Sequence, residues 1–561
     1  MDITPDGRIT LADVFKDEIK TAAYLNNVYR YVPTYFAGYI EYALLAGITD
    51  ECQDADVGNA PNVVADNWKN GTLSPSFNPL TLGTYSNSSD HYPSFWSGIL
   101  HANIFLENID NANVPNAADK NRFKAEAQLL RAFFYFELVK QFGPMPIADA
   151  PFPNGFDFSS LTRPTFQENI DFIVKDCDAA IANTSLPMRI TLESERGRFS
   201  KAIAYAVRSE ALLYNASPLW NPSNDMEKWS ASAAASRAAI NMLTTNAGGN
   251  YRLIDDYGDY FISRSDLVND PKDKETILGI IGSTPGQLGT VIGLPSKPGY
   301  KTGACPTQEL VDSYDMQATG EPAILGYTDE DHLNPIINTA SGYDPNNPYV
   351  GRDPRFYATV WYNGALYDNI NGNIHTIETF TGGKDQLIKT PPNRYNTHTG
   401  YYLRKFIDPR LQVWQGPSPE WKKYRFAQLY LDFAEAENEV SGATPEVYEA
   451  INVVRRRADM PVLPAGLDKD QMRTRIRNER RVELAIEEHR FWDVRRWKIL
   501  DKTDKLVTGM EITKNIDNSY SYSRFVTERR NSWQDKFLIF PIPIGEVSKI
   551  PDFNLNQNPG W

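Results

Sequence analysis

From Arg122 to Phe142 the chain reads RFKAEAQLLRAFFYFELVKQF, with Phe123, Ala127, Leu130, Phe134 and Leu138 three or four positions apart. That stripe predicts a long amphipathic helix, and Gly143-Pro144 predicts its end. The same period predicts helices over Val14–Tyr31, Phe95–Ile109, Phe166–Ile181, Lys201–Tyr214, Trp229–Leu243, Tyr424–Val440, Pro445–Arg457 and Gln471–Trp492. Most are joined by short turn-like segments, as antiparallel helix pairs are. Small residues in AEA, SEALLYNAS and FAEAEN suit the close packing of tetratricopeptide-type units, in which each pair covers the apolar face of the next.

Two regions break the helical period. Residues 50–94 are rich in Asp, Asn, Ser, Pro and Gly, and residues 250–420 mix Gly and Pro with short alternating runs such as RFYATVWYNGALY and HTIETFTGG. The pattern predicts a mainly α protein with a helical scaffold over 11–245 and 420–500. A large loop-rich, short-strand module is inserted in it, and an extended segment over 537–561 closes the chain. Irregular stretches of this size are uncommon unless they carry function.

Composition narrows the partners. The formal charge of −14 disfavours phosphate backbones, so nucleic acid is not expected as a ligand. The three cysteines, Cys52, Cys177 and Cys305, lie far apart without metal-ligand spacing. Nowhere do eighteen apolar residues follow one another, so no membrane-spanning helix is predicted. Aromatic residues, by contrast, make up 12% of the chain, enough to furnish both a core and a binding face.

The stretch ERRVELAIEEHRFWDVRRW, Glu479 to Trp497, concentrates charge. On a continuous helix Glu479, Glu483 and Glu487 share one face among Arg480, Arg481 and Arg490. Carboxylates that act on a glycosidic bond flank it from opposite sides, whereas neighbours on one helix point the same way, so an ion-pair network is the expected role. His489 has no H-E-x-x-H partner, and no zinc site is predicted. DECQDADVGN (Asp50–Asn59) clusters oxygen ligands but fails the EF-hand register, because Gly58 falls where the fifth ligand belongs counting from Asp54. No cofactor is expected, a structural calcium ion being the one cation the composition leaves open. Nucleophile-elbow, P-loop and dinucleotide motifs are absent.

A sugar-binding face needs aromatic rings to lie against the apolar side of a sugar, flanked by groups that bond its hydroxyls. Loops on a rigid frame are where such groups belong. The first irregular region offers Asp50, Asp66, Asn67, Trp68 and Tyr85. The second offers Tyr300 and Cys305 at the end of a glycine-rich run, then Arg394, Tyr395 and Tyr401. Trp68 sits in a polar turn context and is expected to contact ligand, while Trp96 and Trp361, in periodic segments, are expected in the core. Tyr401 and Tyr402 are adjacent in an extended run and should face opposite ways, one packed and one free. Cys305 reads either as a small packing residue or as a contact.

Several motifs in series resemble the SusD/RagB family of surface substrate-binding lipoproteins found beside TonB-dependent transporters in Bacteroidetes. They are AEAQLLRAFFYFELVKQFGPMPI, PTQELVDSYDMQATG, RDPRFYATVWYNG, TGYYLRKFID, YRFAQLYLDFAEAENEV, the Glu479–Trp497 stretch and FPIPIGEVSKIPDFNLNQNPGW. The resemblance covers nearly the whole chain and implies one SusD-like unit over 1–561, with four tetratricopeptide-like helix pairs on one side and a variable loop face on the other. It implies no catalytic residues, capture of an oligosaccharide or polysaccharide, and a SusC-like TonB-dependent transporter as partner. In the RagB branch a peptide is captured instead. A glycan-degrading enzyme and a scaffold that binds only proteins are the readings of another class. Family members are held at the outer-membrane surface by lipid on an N-terminal cysteine. No such cysteine stands near Met1, and the resemblance implies a chain that begins after the anchor.

Overall fold

The computed structural model describes residues 9–33, 43–55, 63–78, 91–262, 273–281, 292, 302–368, 374–389, 393–407 and 420–561. Helices dominate it. The Ala117–Phe142 helix lies between His91–Ile109 and Phe166–Ala182. Lys201–Ala216 packs on Phe166–Ala182 and on Met226–Leu243, and Phe426–Ser441 covers Met226–Leu243, Pro445–Arg457 and Lys469–Glu483. The scaffold thus closes on itself, its last helices packing back against the middle of the chain.

Local chemistry sets the helix ends. Thr165 and Glu168 form a reciprocal capping box, Glu168 N–H donating to Thr165 Oγ1 at 3.2 Å and Thr165 N–H to Glu168 Oε2 at 2.6 Å. Gly143 ends the Ala117–Phe142 helix at φ 72°, a conformation that glycine alone adopts without penalty. Phe133, Phe134 and Phe136 of that helix are all fully buried, so helices surround it, and each ring contributes roughly 1.5–3 kcal/mol by burial. Its approach to the preceding helix is tight: a Cβ added at Gly98 would lie 2.7 Å from the Phe134 ring.

The inserted module is built of small antiparallel pairs rather than one sheet. Cys52–Asp54 pairs with Ala304–Pro306 in the register Gln53 opposite Cys305, so the two irregular regions meet. Thr276–Ile281 pairs with Glu420–Arg425, and Val360–Trp361 with Tyr402–Leu403. A longer hairpin, Leu506–Lys514 with Tyr520–Arg529, follows the scaffold and has no counterpart in the helical pattern.

Four elements differ from the sequence reading. Val63–Asn70 is a helix inside a stretch read as loop. The helix expected over Val14–Tyr31 is two, because Asp17 caps a new one at Glu18. The 537–561 segment, expected to run extended, contains helical turns at Ile544–Val547 and Pro551–Leu555. Most consequentially, Gln471–Trp492 is not one helix: Lys469–Glu483 ends, Ile486 and Glu488 take left-handed φ of 64° and 68°, and His489–Arg496 begins.

Each left-handed non-glycine residue costs of the order of 1–2 kcal/mol, so the break needs compensation. Buried side chains capture the backbone groups it frees. Glu51 Oε2 accepts Ile486 N–H at 3.1 Å, Lys405 Nζ donates to the Ala485 carbonyl at 2.8 Å, and Arg425 Nη2 and the Tyr257 hydroxyl donate to the Glu483 carbonyl at 2.6 and 2.8 Å. The helix period could not reveal this, because every stabilising partner comes from elsewhere in the chain.

Candidate functional site

The Glu479–Trp497 stretch lies in the interior, and arginines hold its carboxylates. Glu479 meets Arg355 at 2.7 Å and Arg455 at 2.9 Å, and Glu483 meets Arg425 at 2.5 Å and Arg355 at 2.9 Å, with Arg457 beside it. Glu487 takes Arg425 at 2.7 Å and Lys405 at 2.8 Å. Burial opposes ionisation of Glu479, yet Arg355 and Arg455 outweigh it and hold the carboxyl below its ordinary range. Burial likewise opposes ionisation of Glu483, and Arg457, Arg425 and Arg355 hold it far lower. These acids are ion-paired and water-excluded, an arrangement suited to joining the module to the scaffold. His489 is buried in the same environment; burial and the nearby Arg480, Lys423, Arg425 and Lys140 keep it neutral.

Several residues expected on the ligand face are interior. Trp68 is fully buried, its ring 5.4 Å from Phe491, 5.7 Å from Phe537 and 5.3 Å from Phe540, with the Arg495 guanidinium 5.1 Å over it. Its polar sequence neighbours belong to a short amphipathic helix that turns the indole inward, so the expected ligand contact is corrected to a core role. Tyr401 and Tyr402 are both buried: Tyr401 donates to Gln308 Oε1 at 2.6 Å, and Tyr402 donates to the Asp385 carbonyl at 3.0 Å. The Gln308–Asp312 helix and Tyr349 cover Tyr401 and the Asp385 turn covers Tyr402, so neither ring is free. Cys305 is fully buried in its strand pair, and burial raises its thiol to about 12, the state of an inert packing residue. Asp50 is buried and clasped by Arg490 through two bonds of 2.8 Å and by Arg481 at 3.0 Å. That guanidinium clasp leaves the Asp50 carboxylate neither a sugar contact nor a cation ligand. Trp361 lies in the core as expected, and Trp96 is half-buried against it. Tyr85 and Tyr300 lie outside the described residues.

What remains is a polar turn. Asn393 Oδ1 accepts the backbone N–H of Tyr395 at 2.9 Å and of Asn396 at 3.2 Å, and the Asn393 carbonyl lies 2.6 Å from His398 Nε2. Thr397 Oγ1 then accepts the N–H groups of Thr399, Gly400 and Tyr401 at 3.0–3.1 Å. Gly400 has φ 90°, and a Cβ there would stand 2.2 Å from the Met510 carbonyl, while Met510 N–H donates to the Thr399 carbonyl at 2.8 Å. The turn is therefore fastened to the Leu506–Lys514 strand. On it Tyr395 is 57% exposed, and Arg394, half-buried, has its carbonyl bonded by Thr302 N–H at 2.7 Å.

The first irregular region reaches the same locality. Asp66 lies 3.3 Å from Lys69 Nζ, which bonds Glu528 at 2.6 Å. The charges of Lys69 and Glu528 both act on His398, although burial is the main cause that keeps this imidazole below its ordinary pKa. Asn67 closes its own turn by accepting Thr72 Oγ1 at 2.8 Å on its side-chain oxygen. Of the candidates, Asp66, Arg394 and Tyr395 thus fall in one neighbourhood, joined by Lys69, Glu528 and His398. Sequence reasoning missed Lys69, Glu528, Asn393 and His398; the asparagine-rich NRYNTHTG run was the available signal.

The helical side carries a different feature. Tyr92, Trp96, Leu100, Phe152, Phe158, Leu161 and Ile550 line an apolar cleft of about 360 Å³, with Leu100 and Phe158 nearly half exposed.

Comparison with known proteins places these features in context. A family model described as the SusD family matches residues 283–561, and one described as starch-binding associating with outer membrane matches residues 53–213. SusD-like protein P25 of Formosa agariphila is 23% identical over 491 residues, 82% of this chain and 77% of that protein. The crystal structure of a SusD-like protein from Bacteroides fragilis superposes with a TM-score of 0.77 at 25% identity, covering all of both chains. A laminarin-binding SusD-like protein has the same fold, with a TM-score of 0.63 at 22% identity over 97% of this chain and 100% of that one.

Proposed function

Because this chain belongs to the SusD/RagB family, we propose that it is a non-catalytic cell-surface protein that captures an oligosaccharide or polysaccharide and delivers it to a partner SusC-like TonB-dependent transporter. The observation that carries the glycan reading is Tyr395: a large aromatic ring standing in solvent on a turn held rigid by five side-chain-to-backbone bonds and a glycine without room for a side chain. A ring so held loses little freedom when a sugar lies on it, and the half-buried Arg394 next to it in the chain supplies donors for hydroxyls. The laminarin-binding relative supports a glycan as ligand class without selecting laminarin.

Glu479, Glu483, Glu487 and Asp493 are held by arginines, which supports binding over hydrolysis. The reading needs no cofactor. The apolar cleft with Leu100 and Phe158 supports a protein partner on the helical side, since exposed apolar groups of that kind mark contact surfaces. A lipid-bearing N-terminal cysteine would hold the protein at the outer membrane.

Affinity electrophoresis through gels containing a panel of polysaccharides tests the proposal. Retardation by at least one glycan, weakened by Tyr395→Ala, is expected. Retardation by none, with calorimetric binding of peptides, would replace it with the RagB-like peptide reading, and steady release of reducing ends would make the protein an enzyme.

A further inference from the structure

Pro144, Arg163, Trp220, Lys498, Lys536 and Asn558, drawn from separate stretches of the chain, border one cavity of about 630 Å³. Sites for small molecules run from about 300 to 1,000 Å³. The charge of the lining departs from that of the chain. The formal total is −14, yet the cavity has Arg163, Lys498 and Lys536 against Asp535 alone. Arg163 spends its guanidinium on neutral oxygens, among them the Pro144 carbonyl at 2.8 Å, Asn558 Oδ1 at 2.9 Å and the Asn556 carbonyl, and Asp552 offsets part of its charge. The two lysines differ. Neither Lys498 nor Lys536 has a carboxylate partner among the described residues. Lys536 instead rests its ammonium 4.9 Å from the Phe537 ring centre and 5.1 Å from that of Trp561.

Lys498 holds a backbone shape that suits glycine. It follows the His489–Arg496 helix at φ 56°, where its own N–H bonds the Arg495 carbonyl and Ile499 N–H bonds the Val494 carbonyl, each at 2.9 Å. A helix that ends in a left-handed residue commonly places glycine there, and a side chain at that φ is strained. An exposed lysine kept at such a position is accounted for if its charge is used in the cavity beside it. Trp220 supplies a flat wall. Phe166 lies parallel to its ring at 4.1 Å and covers one face, the residue is half-buried, and its indole N–H bonds nothing among the described residues. No described strand contributes to the lining, so the cavity offers no sheet edge to an extended peptide.

We propose that this cavity is a second saccharide site that takes an acidic sugar, whose ring lies on Trp220 and whose carboxylates meet the ammonium groups of Lys498 and Lys536. An aromatic wall with a free N–H suits the apolar face and hydroxyls of a sugar, and unpartnered ammonium groups suit carboxylates. The sugar body of this ligand rests on the glycan reading above; its acid groups rest on the lysines alone. The site is distinct from the Tyr395 turn, with which its lining shares no residue.

Titration calorimetry on the full chain, at ionic strength fixed with sodium chloride, would compare galacturonobiose with its neutral counterpart galactobiose and with triglutamate as an acidic peptide. Saturable one-to-one binding of galacturonobiose is expected, about fivefold or more tighter than either of the others. Lys498→Gly should weaken it about fivefold or more while the thermal midpoint holds or rises, since glycine relieves the left-handed φ. Lys536→Met, which keeps an apolar stem against Phe537 and Trp561, should weaken it likewise. Tyr395→Ala should bind galacturonobiose as the wild type does, so a gel panel without glycan retardation overturns the Tyr395 reading and leaves this site standing. No saturable heat with galacturonobiose, equally tight binding of galactobiose or triglutamate, or wild-type affinity in both lysine variants each overturns the site.

Discussion

Arg425 grips Glu487 with two nearly parallel bonds, Nε to Oε2 at 2.7 Å and Nη2 to Oε1 at 2.9 Å, while its Nη1 holds Glu275 at 2.8 Å. One guanidinium therefore ties the inserted module to the point where the Glu479–Trp497 stretch turns its corner. Burial alone would lower the charge of Arg425, but Glu487, Glu483 and Glu275 hold its pKa well above the ordinary value. Arg425→Met should cost about 3–5 kcal/mol, since it leaves three buried carboxylates short of a cation. A thermal midpoint equal to wild type would mean the network is not stabilising.

Tyr395 and Trp68 should separate function from folding. Tyr395→Ala removes an exposed ring and should weaken glycan binding roughly three- to tenfold at unchanged thermal midpoint. Trp68→Ala empties a site among Phe491, Phe537 and Phe540 and should cost about 3–5 kcal/mol. Its binding should fall only in proportion to unfolded protein, as circular dichroism and gel retardation on the same sample would reveal.

Gly400→Ala places a methyl group against the Met510 carbonyl at a left-handed φ. A loss of the order of 1–3 kcal/mol is expected, with binding impaired beyond that of Tyr395→Ala because the whole turn must move. Binding at wild-type strength would show that the turn does not carry the ligand.

Stability should peak at weakly acidic pH. Burial pushes Glu51 and Glu488 up to about 8, so between their unfolded values near 4.5 and pH 8 the folded state holds protons that the unfolded state has released. Stability contributed by these two groups is therefore full below pH 4.5 and declines as pH rises toward 8. Glu137 and Glu435 act oppositely: burial is outweighed by Lys140 and Lys423 in one case and by Arg496 in the other, and both fall to about 2, so their contribution is lost as pH drops below 4.5 toward 2. Thermal midpoints across pH 4 to 9 should fall on the alkaline side, and Glu51→Gln should flatten that limb.

Chelation should leave glycan retardation unchanged, because the proposed site relies on a ring and on side-chain hydrogen bonds. Loss of binding in EDTA, restored by calcium, would instead assign a cation to the ligand face.

Much of the scaffold was legible because a single period carries it. Phe123, Leu130 and Phe134 announce their helix without help, and Gly143 announces its end. The break at Ile486 was not legible, since the groups that stabilise it, Glu51, Lys405 and Arg425, are remote in sequence and nothing local marks them. Trp68 misled for a related reason: its neighbours Asp66, Asn67 and Lys69 are polar, but an eight-residue helix shows one face to solvent and hides the other. Tyr395 was legible as a candidate and Tyr401 failed as one, because exposure depends on which loop folds over which strand, and chain order says nothing of that.

The bonds around Glu483 and Glu487 also bear on how the chain can be divided. Arg355 and Lys405 stand before residue 420 and their acids after it, while Glu275 and its partner Arg425 run the other way. The ion-pair network of the interior is thus complete only when both parts of the polypeptide are present. A fragment stopping near 419 would leave buried Lys405 without Glu487 and Arg355 with Asp353 alone, while the complementary fragment would keep Glu483 and Glu487 on Arg425 but lose Arg355 and Lys405. The loop face cannot be borrowed as a miniature binder; it comes with the whole frame or not at all.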